Sequence, residues 1–128
     1  MKTNDAQFWA EARIRISKVR EEAEIFLKFS RESNWVFARH VFVRMRTPVQ
    51  AFFELFEGGV LAIGSPIREH ALNGTAHFAN AFNGYSEIRS AIIGAPERIL
   101  ELAEAWHASL TLVLKHVAEK QKEVAECN

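Results

Sequence analysis

One stretch constrains this chain more than any other: NWVFARHVFVRMRTPVQAFFELFE, residues 34–57. Its large apolar residues stand at Trp35, Ala38, Phe42, Met45, Val49, Phe52 and Phe56, in alternating steps of three and four. That spacing returns side chains to one helical face, as in a helix packed along its whole length. A continuous helix over this stretch would be roughly 36 Å long. The rhythm runs through Pro48, which lacks an N–H to donate and whose ring meets the carbonyl four residues back. The helix is therefore expected to be kinked or broken at Pro48. If it breaks there, Thr47 can act as N-cap, Pro48 as the first helical residue and Gln50 as the closing member of a capping box. Val41–Arg46 also alternates as a strand would, but no second segment offers it a convincing partner. Phe37, Val41 and Phe53 fall off the seam, so neighbours must cover more than one side. This helix is expected to be the central one.

The same rhythm recurs on either side. A first helix, about 4–31 and capped by Thr3 or Asn4, carries Trp9, Ala12, Ile16, Val19, Ala23 and Phe26 on its stripe. Arg13, Lys18, Arg20, Glu21, Glu22, Glu24 and Lys28 fill its polar face. The short link Ser30–Ser33 favours an antiparallel neighbour. Residues 66–93 predict an irregular helix: Ser65-Pro66 starts it, and Asn83-Gly84 signals a turn. A short helix from Ser86 to Ile93 then ends at Gly94. Pro96 opens a last helix, about 96–126, striped by Ile99, Ala103, Trp106, Leu110, Val113, Val117 and Val124. Its tail beyond Ala118 has little to bury and is expected to fray or project into solvent. The fold class is all-α, an antiparallel up-and-down bundle of four main helices. A chain of 128 residues makes one domain, 1–128, because halves would be too small to bury a core.

Composition narrows the function classes. Sixteen Lys and Arg balance sixteen Asp and Glu, which argues against nucleic acid as a partner. The single cysteine, Cys127, excludes an internal disulfide framework and a Cys-based zinc site. The N-terminus lacks a signal-peptide core and no apolar run is long enough to span a membrane, so the cytoplasm is the expected compartment.

Three constellations bear on chemistry. The segment HALNGTA, residues 70–76, resembles the phospho-accepting box of histidine phosphotransfer domains, which are small all-α bundles. That resemblance implies His70 as phospho-acceptor, with Gly74, Thr75 and Ala76 letting a response regulator approach. Asn73 stands where that family carries a lysine. Glu104 and His107 have the E-x-x-H spacing of di-iron bundles and are the candidate metal ligands, although no second pair is present. His70 and His77 share a face if their helix is unbroken. Arg13, Arg15, Lys18 and Arg20, with Arg39, Arg44 and Arg46, are the main basic concentration, read as a solvated face with partners one turn away.

A further likeness concerns packing. The pattern N-x3-A-x7-R-T-P-x-Q-A-F-x-E-L at residues 34–55 is loosely similar to phasins, amphipathic helical proteins, and implies a coat for a lipid or polymer surface. No phosphate loop, nucleophile elbow or Ser/His/Asp set is visible. The leading expectation is a non-enzymatic interaction protein without cofactor, binding itself or another protein through apolar helix faces. Val60–Ile63 and the off-stripe Phe8, Phe37 and Phe53 are the expected contact residues.

Overall fold

The computed structural model describes residues 2–57 and 76–126, and in these it is all-α. Its helices are α1 (Lys2–Arg31), α2 (Trp35–Arg44), α3 (Arg46–Glu57), α4 (Ala76–Gly94) and α5 (Ile99–Glu126), the last preceded by a single 3-10 turn, Pro96–Arg98. The starts predicted at Ser65-Pro66 and the apolar run Val60–Ile63 lie outside the described residues.

The centre of the bundle is α1, and not the 34–57 segment. It packs against α5 along most of its length and against both α2 and α3 on other sides. Its arc of Phe8, Trp9, Ala12, Ile16, Val19, Ala23, Phe26 and Leu27, all buried, is wide enough to serve three neighbours. Burying each of the larger side chains stabilises the fold by roughly 1.5–3 kcal/mol. Arg31 meets Glu104, Arg20 meets Thr111 and Arg13 meets Gln121. Numbers rise along α1 as they fall along α5, which is the order of an antiparallel pair. The same holds against α2 and α3, where Phe29 meets Phe37, Phe26 meets Phe42, Glu22 meets Arg44 and Arg15 meets Ala51.

The break before Pro48 lies at Met45. Pro48 cannot donate to the Arg44 carbonyl, so the regular ladder ends with α2 at Arg44. The interruption is a single residue: Met45 N–H donates to the Val41 carbonyl at 2.9 Å, and the Met45 carbonyl accepts from Val49 at 3.0 Å. The seam therefore survives, with Met45, Val49 and Phe52 fully buried. The capping box does not form. Thr47 lies inside α3, and the Gln50 side chain bonds Glu54 instead. Val41–Arg44 is helical, which disposes of the strand reading.

The link between α1 and α2 is a Schellman turn. Ser33 adopts φ 56°, its N–H donates to Ser30, and Asn34 N–H donates to Phe29 at 2.9 Å. Asn34 then caps α2, its side-chain oxygen accepting from Phe37 N–H. One short segment thus ends one helix and starts the next.

Helix α4 runs unbroken through Asn83-Gly84, where a turn was expected. Gly84 is there because α5 approaches closely: a Cβ at this position would stand 2.6 Å from Trp106 Cδ1. The helix also bridges to α2, with the Tyr85 ring stacked on Phe42 at 5.1 Å. At the far end, α5 stays helical to Glu126, held by Arg13 donating to Gln121 and by Val124 packed against the core. The tail beyond Ala118 thus continues the helix, although none of its described residues is fully buried.

Candidate functional site

Apolar side chains are concentrated at the start of α2. Trp35, Val36 and Phe37 are 42%, 68% and 55% exposed, and Ile93 near the end of α4 is 86% exposed. Trp35 belongs to the three-four stripe and was expected inside. The first turn of α2, which follows the Schellman turn directly, is left largely open, and burial on this face begins at Ala38. Between α2 and the α4–α5 junction lies a groove of 220 Å³, walled by Phe26, Trp35, Val36, Ile92, Pro96 and Ile99. On the other side of the same turn, Phe37 stacks on Phe29 at 5.5 Å. Of the off-stripe residues expected on this surface, Phe37 is there. Phe8 is not: it is buried edge-on against Trp9 at 4.9 Å. The Phe53 side chain lies outside the described residues.

The basic residues are exposed or half-buried, and Arg15 and Lys18 each have an acid one turn away, Glu11 and Glu22; several also reach across to other helices. Arg15 bonds Glu11 and the Ala51 carbonyl, both at 2.7 Å. Arg20 reaches Thr111 and Arg13 reaches Gln121, across to α5. Arg44 donates through Nε and Nη2 to one oxygen of Glu22 at 2.9 and 2.8 Å, and Lys18 approaches the other at 3.5 Å. Glu22, assigned by pattern to the polar face, is only 5% exposed. Its partner one turn earlier was legible in the sequence; the partner from α2 was not. These arginines act as straps between helices.

His107 sits beside a groove of 620 Å³ lined by Glu21, Glu24, Lys28, Arg31 and Glu32. Its pKa is held below the ordinary imidazole value, first by burial and then by the Arg20 guanidinium. Arg31 adds to this and Glu24 opposes it. Its Nε2 is buried without a hydrogen-bond partner. Glu104, the other candidate ligand, lies 3.8 Å from Arg31. Two guanidinium groups beside the imidazole work against a bound cation. Among the described residues no group of three or more His, Cys, Asp or Glu side chains is placed to hold a metal ion. His70 lies outside the described residues, as does the His77 side chain. Among the described residues no helix is long and apolar enough to cross a membrane. Comparison with protein-family models, curated proteins and solved structures finds nothing that matches this chain.

Proposed function

We propose that this chain is a non-enzymatic interaction protein, a helical bundle that associates with a second copy of itself or with another protein through the start of α2. The observation that supports this reading is the run Trp35-Val36-Phe37, left open to water on a helix whose following turns are packed. Single exposed apolar residues are ordinary on any surface, but a consecutive run beside an apolar groove marks a surface suited to contact. Zero net charge removes the long-range repulsion that would oppose a second copy.

Light scattering at micromolar concentration, with a pull-down alongside, tests the reading. Trp35→Glu and Val36→Glu are the paired variants, because both positions are exposed and tolerate a charge without loss of helix. The expected result is a mass above the monomer, or capture of a defined partner, that both substitutions abolish. A monomer with no partner sensitive to these positions overturns the reading.

A further inference from the structure

We propose that the cleft between the α2–α3 junction and α4 binds a small organic anion, a phosphate or carboxylate carried on a compact apolar body. The cleft measures 310 Å³ and is walled by Phe42, Val43, Arg46, Tyr85 and Arg89. Its volume lies at the small end of the range for ligand sites, which suits a single-ring molecule better than a polypeptide helix. The site is separate from the apolar groove at the start of α2.

The charge is what calls for a ligand. Arg46 from α3 and Arg89 from α4 line one cleft, and neither forms an ion pair with a carboxylate among the described residues. Arg15, Arg31 and Arg44 pair with Glu11, Glu104 and Glu22, whereas Arg39 and Arg98, like Arg46 and Arg89, form no ion pair among the described residues; what sets Arg46 and Arg89 apart is that they share a cleft. Glu22, the acid associated with this junction, is buried and has both oxygens occupied by Arg44 and Lys18, so it does not neutralise the pair. Arg46 and Arg89, both exposed, reach the rim of one cleft from separate helices and give it positive charge that an anion would balance. Their planar donor forks match the oxygens of a carboxylate or phosphate.

The apolar wall sets the body of the ligand. Phe42 and Tyr85 stack on each other at 5.1 Å with an interplanar angle of 14°, and Phe42 also meets Phe26 at 5.7 Å. Their faces are largely taken by one another, so the wall offers van der Waals contact more than a platform for stacking. Val43, which is exposed, adds an aliphatic edge. Val43, near the end of α2, and Arg46, at the start of α3, reach this cleft from either side of the interruption at Met45.

Titration of the full chain by calorimetry and by backbone NMR shifts decides the matter. Phenyl phosphate and benzoate are the probes, with inorganic phosphate and phenol as half-ligands. The expected result is saturable binding of at least one aryl anion, with shifts centred on residues 42–46 and 85–89 and weaker binding of either half. The tighter aryl anion identifies the headgroup. Arg46→Gln and Arg89→Gln are each expected to weaken binding roughly tenfold, as loss of a charge-assisted hydrogen bond does. Val43→Asp, at an exposed position, is expected to weaken it by introducing a like charge. No saturable binding of either aryl anion, or unchanged binding in the Arg46→Gln, Arg89→Gln double variant, overturns the proposal.

Discussion

Gly84 and Trp106 are in contact so close that a Cβ at residue 84 would stand 2.6 Å from the indole Cδ1 and 3.1 Å from Cγ. The contact lets the indole pack close against α4, where its Nε1 donates to the Ala81 carbonyl at 2.9 Å. A buried indole N–H needs such a partner. The glycine thus serves the packing of α5 rather than a turn in α4.

Gly84→Ala is accordingly expected to destabilise the protein, although alanine is the better helix former by about 1 kcal/mol. The ring must move away from α4, which strains the core and stretches the bond to Ala81. We expect a net loss of about 1–3 kcal/mol. Urea unfolding followed by tryptophan fluorescence measures it, and a gain in stability would contradict the packing argument.

The buried Glu22 carboxylate depends on Arg44. Arg44→Met leaves Glu22 with Lys18 alone at 3.5 Å. Since Arg44 is itself open to water, part of the interaction is screened, and a loss of about 1–2 kcal/mol is expected. In a double-mutant cycle with Glu22→Gln, a coupling close to zero would show that the pair contributes nothing.

Ser33 occupies the left-handed region at φ 56°, where glycine carries no Cβ penalty. Ser33→Gly is expected to raise stability by about 0.5 kcal/mol, since relief of strain outweighs the added freedom of the unfolded chain. Ser33→Val should cost more than 1 kcal/mol, as a branched Cβ fits this region poorly. Equal midpoints for all three proteins would refute the account.

His107 makes stability fall on acidification. Burial and the Arg20 and Arg31 charges hold its folded-state pKa below the unfolded value. Between those two values the unfolded chain binds the proton and the native chain does not, so acid favours unfolding. The contribution is fully present above about pH 6.5 and is lost as the pH falls through the folded-state pKa. His107→Leu is expected to flatten this slope and, because Nε2 is buried without a partner, to leave stability near pH 8 unchanged or higher. Arg20→Gln should move the His107 NMR titration upward. A midpoint that stays put would remove the electrostatic part of the explanation.

The sequence by itself determined the helices and their apolar stripes. Three-four spacing at Trp9–Phe26, at Ala38–Phe52 and at Ile99–Val117 is a local property, and each of these stripes is buried. Pro48 announced an interruption, though not its place, since the carbonyl that loses its donor belongs to Arg44, one turn upstream. Asn83-Gly84 misled because local turn chemistry cannot register a tryptophan from another helix. Tertiary structure alone decided which helix is central, since that depends on how many neighbours share an arc. It also decided that Glu22 is buried while Trp35 is exposed. The first needed Arg44 brought across from α2 to offset the cost of burying a charge. The second followed from where a Schellman turn ends one helix and starts another, leaving a stripe residue on the wall of a surface groove instead of in the core. The cleft of Arg46 and Arg89 is of the same kind, because residues 43 positions apart meet only when the junction of α2 and α3 is laid against α4.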